Sequence, residues 1–290
     1  MPFSFAQFAA VSLVLFASSV VQGAVGFAAG LFGIPLLVLA GVSFPDAVAI
    51  TLVAAAPQNI IPAWQLRREI DFRRALRPML IRFAFLPLGV FALYLIGHEN
   101  KDAASQLVGV IVLAIVAVQR AWRVHPQPHL HPAWEWLAFS LGGFLLGLCG
   151  MGGPPMVLWV LAHDWSMNRG RAFLFFIFAT GLIPQGLLLW LFFGESMLDA
   201  MLLGALALPP VLVGLWLGLY LSKLVPDQML RRVSVALLVL VAASAIIMPY
   251  LRLSSPRAEP PPSAGSQSAS GREFDSIVKV LLKLRPELSR

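Results

Sequence analysis

Residues 203–222 and 233–248 are apolar over nearly their whole length, on every face rather than along one stripe. A helix without a polar face has nothing to turn toward water, so such runs belong inside a large core or inside a bilayer. Many runs in the chain approach the ~20 residues that a helix needs to cross about 30 Å of hydrocarbon. Only 12% of the residues are charged and 59% are hydrophobic, where a soluble domain carries about 25% charged. The bilayer is therefore the environment that fits. No stretch alternates with the dyad period of outer-membrane strands, so the spans are helices.

Hydrophobic runs and breakers mark ten segments, at roughly 3–22, 24–40, 45–66, 74–97, 103–122, 134–148, 150–164, 172–193, 198–222 and 230–251. The first lacks a positive n-region and is kept as a span rather than a signal peptide. Segments 134–148 and 150–164 are too short to cross as straight helices. They flank a glycine cluster, and the pair 3–22 and 24–40 is interrupted in the same way. Matching interruptions in two halves point to broken or re-entrant helices.

The halves superimpose in sequence. At an offset of 120, Gly30, Gly33 and Pro35 fall on Gly150, Gly153 and Pro155. At an offset of 126, the scarcer Trp64, Glu69 and Tyr94 fall on Trp190, Glu195 and Tyr220. This divides the chain into membrane repeats 1–124 and 125–251 and a tail, 252–290. The tail's Ser254–Gly271 is rich in Pro, Ser and Gly and reads as a disordered linker, followed by a short amphipathic segment, Phe274–Leu284.

Charge orients the spans. Residues 1–251 hold 14 of the 21 Lys and Arg residues, and 13 of these fall in four loops on one side, leaving Lys101 opposite. Asp46, Glu99, Asp102, Glu195 and Asp199 mark the other side. By the positive-inside rule the four basic loops are cytoplasmic and both termini lie outside the cytoplasmic membrane. Arg82, just past the basic loop Arg67–Arg77, reads as a side chain that snorkels to the interface. Each half holds an odd number of segments, five, or three spanning helices plus one hairpin. Its copy must then insert upside down. The expected fold is an all-α integral membrane protein of two inverted-topology repeats, with a site near the midplane between them.

The stretches Gln22–Pro35 and Gly142–Pro155 carry the candidate site. Glycines permit tight turns and close backbone approach, and proline favours the first turn of a helix. Helix starts are expected near Ile34–Pro35 and Pro154–Pro155, each presenting unpaired N–H groups and about half a positive charge to a small anion. On this reading Gly26, Gly30, Gly33, Pro35, Gly150, Gly152, Gly153 and Pro154 form a cradle that needs no buried Lys or Arg. Close helix packing is the competing use of the same glycines. Gln22, Gln58 and Asn59 lie at membrane depth, where amides can donate to an oxyanion without a buried charge. The counterpart region in the second half holds Thr180, Pro184 and Gln185, of which Thr180 is the favoured ligand. Arg171, at the inner end of a span, would attract anions toward the entrance. His163-Asp164 reads as a solvated loop pair.

Other classes are excluded or unsupported. The sequence has no Ser-centred nucleophile elbow, HExxH, phosphate-binding loop or nucleotide fingerprint, so neither an enzyme nor a cofactor is expected. A lone cysteine, Cys149, rules out disulfides within the chain. His125, His129 and His131 alternate with prolines in a loop that supplies no ordered metal geometry. Basic residues sit at span ends rather than in a nucleic-acid patch. The expected partners are a small anionic substrate, the lipid bilayer and a coupling ion, proton or sodium. No Asp or Glu lies clearly mid-span to relay protons.

The glycine motifs, their duplication and the stretch Trp64–Arg74 (WQLRREIDFRR) resemble the sulfite exporter TauE/SafE family over about residues 5–251. In that family each half opens with a glycine-rich segment ending in Pro. A helix with a Thr-Ser-type pair follows, then a basic R-x-G-x-[IV]-D loop. Here Gly26, Gly30, Gly33, Pro35 and Thr51 sit on that pattern, as do Arg68, Ile70 and Asp71. Gly147, Gly150, Gly152, Gly153 and Pro155 match in the second half. The run of glycines is thinned to GFAAG, Glu69 replaces the loop glycine, and Arg171 stands where a second Thr is expected. The resemblance implies export of sulfite, or of an organosulfonate such as sulfoacetate, by alternating access, and adds Thr51 to the substrate-binding set. Uptake of a sulfur-containing anion and a non-transporting membrane scaffold are the alternatives.

Overall fold

A computed structural model describes residues 4–25, 29–99 and 130–224, together with 110, 111, 113, 114, 117 and 127. All belong to one unit, Met1–Tyr250. Segment 230–251 and the tail lie outside the described residues, as does most of 103–122, including the expected boundary near 124. The described helices are α1 (Phe5–Val25), α2 (Ala29–Leu39), α3 (Phe44–Gln65), α4 (Phe72–Glu99), α5 (Pro132–Cys149), α6 (Gly153–Leu161), α7 (Met167–Phe193), α8 (Ser196–Leu206) and α9 (Leu208–Leu224).

Local chemistry sets their ends. Ser43 accepts the Asp46 N–H and caps α3, with Pro45 in its first turn, and Ser166 caps α7 through the Arg169 N–H. The ring nitrogen Nδ1 of His131 does the same for α5 from outside Pro132. Gly150 ends α5 in the left-handed region at φ 66°, a conformation a side chain would resist.

Five of these helices, α1, α3, α4, α5 and α7, are long and apolar enough to cross a membrane, and α8 with α9, bent by 50°, passes the same test as a pair. Helix α5 corrects the expectation that segment 134–148 is too short to cross, because the helix continues to Pro132 and Cys149 and so reaches 18 residues. Sequence reasoning marks 198–222 as one apolar segment. The break falls at Ala207, just before Pro209 and Pro210, whose rings cannot continue the preceding helix but open the first turn of α9. The short elements are α2 and α6, of 11 and 9 residues, roughly 17 and 14 Å long. Neither crosses about 30 Å of hydrocarbon. Helix α2 begins at Ala29, a turn and a half before the expected Ile34–Pro35, because Pro35 sits inside the helix rather than at its start.

Polar side chains at membrane depth turn into the bundle, beside its apolar core, while large apolar ones cover its outer surface. On α7, Ile183 is 82% exposed while Gln185 is 2% exposed. Ser18, Ser19, Gln22, Thr51, Gln58, Asn59 and Arg82 are likewise buried, whereas Leu13, Trp64, Leu191 and Trp216 face outward. Water would penalise that arrangement; lipid rewards it.

The most extensive contacts join α4 to α5 and α1 to α9. Both are backbone-to-backbone. A methyl at Gly143 would strike the Arg82 carbonyl, and one at Gly89 or Gly147 the carbonyl of Phe144 or Leu86. Between α1 and α9 the same holds for Gly23 against Leu215, Gly214 against Phe16 and Gly218 against Val20. Small residues are what let membrane helices approach this closely.

Asp71 accepts the Arg74 N–H at the start of α4 and pairs with Arg169 at the start of α7, at 3.4 Å. The guanidiniums of Arg74 and Arg169 lie over the Trp165 ring at 5.1 and 5.2 Å. His163 is not a solvated loop residue: it is half-buried, with its ring 4.1 Å from that of Trp159 and 4.6 Å from that of Trp165. Burial, with smaller contributions from Arg74 and Arg169, pulls its pKa below the ordinary 6.5 against the opposing Trp159 carbonyl. The folded protein thus resists protonation of this ring more than the unfolded chain does. Its contribution is complete above pH 6.5 and is lost as pH falls through that value toward the lower native pKa. Purified wild-type protein should lose melting temperature between about pH 8 and pH 5.5, and His163→Gln should flatten that fall. Parallel profiles would count against it.

Candidate functional site

Helix α5 stops at Gly150, the chain turns through Met151, and α6 begins at Gly153. The turn lies against the first turn of α2. A methyl on Gly30 would sit 3.0 Å from the Gly150 carbonyl oxygen. The two glycine motifs, 120 residues apart in sequence, are therefore in direct contact. Their donor supply is smaller than a bare helix start offers, because Pro154 and Pro155 lack N–H groups in the first turn of α6. Gly150 and Met151 already donate to Leu146 and Leu145. Gly152 and Gly153 are left to present amides.

A cavity of about 90 Å³ opens beside this junction, far below the ~300–1,000 Å³ of a drug-sized ligand site. Its wall combines α2 (Gly30, Leu31, Ile34), α3 (Val48, Thr51, Leu52, Ala55, Asn59), the turn Gly150–Pro154 and α7 (Phe178, Leu182, Gln185), with Gln22, Leu146 and Arg82 completing it.

Arg82 is 1% exposed. It stands about ten residues into α4, roughly 15 Å along the axis, well past the helix end that carries Arg73, Arg74 and Arg77. The snorkelling expectation fails because α5 packs against this stretch of α4 and directs the side chain inward. Nη1 donates to the Ile177 carbonyl, Cζ lies 5.9 Å from the Phe178 ring centre, and Nε is buried without a hydrogen-bond partner. Among the described residues the ion pairs are Arg77–Glu135 and Arg169–Asp71; Arg82 has none. No carboxylate lines the cavity among the described residues. Insertion scales put a cation at a helix centre at about 2.5–3.5 kcal/mol.

Thr51 Oγ1 is buried with no hydrogen-bond partner, a second polar atom awaiting one. Asn59 Nδ2 donates to Ala55 and Gln185 Nε2 to Leu146, at 2.9 and 3.0 Å. Of the residues singled out by sequence, Gln22, Gly30, Thr51, Asn59, Gly150, Gly152, Gly153 and Pro154 line the cavity. The others do not. Gly33 packs beside Ser18 and Thr51, Pro35 is buried within α2, and Gln58 donates to Ser19 and Ala54. Thr180 turns back onto the Ile177 carbonyl of its own helix, so Gln185 takes the place expected of it. Arg171 is exposed at the start of α7, and Gly26 lies outside the described residues. No cluster of metal-ligating side chains occurs among the described residues.

Residues 11–245 match the family model for the sulfite exporter TauE/SafE. The chain belongs to that family. No curated protein and no solved structure matches it. TauE/SafE membership implies a membrane transporter of sulfur anions, and the apolar spans make it a multi-pass one. In this TauE/SafE protein the motif residues divide by task. Thr51 lines the cavity, Asp71 caps α4, and Gly147 lets α5 approach α4. Arg82 precedes no signature residue and closes a basic stretch, so nothing in local pattern separates it from the topology arginines. Its one signal is depth, counted from the start of α4.

Proposed function

We propose that the cavity binds a small sulfur oxyanion, of the sulfite or sulfoacetate type, and carries it across the cytoplasmic membrane by alternating access, in the direction of export. The observation that supports this most is a buried guanidinium that has no ion-pair partner among the described residues and lines a cavity that also holds the unpartnered Thr51 hydroxyl. Arg82 supplies the full positive charge and orients the oxyanion. Thr51, Asn59, Gln22 and the Gly152–Gly153 amides complete the shell at no cost in further charge. In this reading the halves 1–124 and 125–251 are inverted repeats with both termini outside. The paired interfaces α4–α5 and α1–α9 support it, since each joins a helix of one half to a helix of the other. The tail from 252 takes no part in binding. A coupling ion, proton or sodium, would use the same cavity or the substrate's own protonation.

A scaffold whose polar groups only join helices gains nothing from an unpaired buried cation, so the transporter reading is the better supported. Counterflow in proteoliposomes tests it. Sulfite flux should saturate with concentration, and thiosulfate, sulfate and sulfoacetate should compete to different degrees. Flux linear in concentration would mean a channel, and no protein-dependent flux with any of the four anions would remove the reading.

A further inference from the structure

Resting on that reading, we infer that Gly181 is a specificity-determining residue. Its bare Cα is the niche that lays the Arg82 guanidinium flat, so that the Nε edge grips two oxygens of one oxyanion. Ile177 and Gly181 are four residues apart on α7 and share one face of it. The Ile177 carbonyl holds Nη1, and Gly181 lies directly beneath the plane: a methyl there would be 2.8 Å from Nη2 and 2.9 Å from both Cζ and Nη1. All three atoms would be struck together, so the guanidinium plane must leave rather than tilt. With Nη1 anchored and Nε without a partner, the Nε–Nη2 edge is the one left for a ligand. Two parallel N–H donors suit an O–S–O edge, and an ammonium is only a point charge.

The side chain that must yield is long and flexible, so the chain should tolerate Gly181→Ala while the binding geometry does not. Equilibrium sulfite binding to the purified full-length protein should weaken about tenfold in Gly181→Ala, the loss of roughly one charge-assisted hydrogen bond. Gly186→Ala is the control on the same helix. Its methyl would meet only Leu52 at 3.5 Å and Met201 at 3.8 Å, and affinity should stay within about twofold. The decisive background is Arg82→Lys, whose ammonium has no Cζ branches to collide. There the Gly181→Ala methyl should be silent, both in melting temperature and in the sulfite affinity that remains. The inference is overturned if Gly181→Ala binds sulfite as the wild type does, or if its effect is as large in the Arg82→Lys background as in the wild type. Should Gly181→Ala fail to fold, recovery in the Arg82→Lys double variant sustains the niche, and failure there overturns it. Wild-type sulfite affinity in Arg82→Gln would sink the parent reading, whatever Gly181 does.

Discussion

Arg82→Met should abolish sulfite counterflow and at the same time leave the protein as stable as before, or more stable. The two effects have one cause. Each charge-assisted hydrogen bond to the oxyanion contributes about 1.5–3 kcal/mol, so loss of a two-pronged grip lowers binding by roughly a hundredfold or more. The guanidinium is desolvated, has no carboxylate partner among the described residues and leaves Nε unsatisfied. Replacing such a group with an uncharged thioether, which reaches as far as Nε, removes a burial penalty of several kcal/mol. Functional sites often conflict with stability in this way. Melting followed by tryptophan fluorescence, with and without sulfite, reads both sides: added sulfite should raise the wild-type transition and leave that of the variant in place. A variant that melts early yet transports normally would make Arg82 a structural residue.

Gly150→Ala should cost the second-largest amount, by two separable routes. Its φ of 66° resists any side chain by about 1–2 kcal/mol. The new methyl would also lie 2.8 Å from Ile34 Cδ1, overpacking worth about 1–3 kcal/mol. Gly41 separates the terms, since it too has a positive φ, 91°, but nothing within 4 Å of its would-be methyl. Gly41→Ala should therefore show the backbone cost alone. Shaving Ile34 to Val removes Cδ1 and should restore the packing share of Gly150→Ala without the conformational share. Equal melting temperatures for Gly41→Ala and Gly150→Ala would show that α2 does not press on the turn.

The segments at 3–22, 45–66, 74–97 and 172–193 were legible because apolarity over a span's length is a bulk property, insensitive to neighbours. The offset that matches Gly30 to Gly150 was also readable, and the structure places those two residues in contact. Three things were not. The start of α2 was misplaced because a proline is tolerated inside a membrane helix as readily as at its beginning. The break at Ala207 was missed although Pro209 and Pro210 announce it, since hydropathy does not dip there. Arg82 was missed because topology arginines and buried ones carry the same letter. Only the packing of α5 against α4 decides which way the side chain goes. Thr180 and Gln185, five residues apart on α7, show the same limit: the hydroxyl folds back on its own helix and the longer amide reaches the cavity.

The glycine contacts of α4 with α5 and of α1 with α9 have a mechanical side. In each pair a carbonyl oxygen lies where a side chain would begin, so sliding one helix along the other by a fraction of a turn drives oxygen into carbon. Each pair is thus a rigid stave. Any rearrangement of the bundle is left to the seams between staves and to the junction where Gly30 of α2 meets the turn at Gly150.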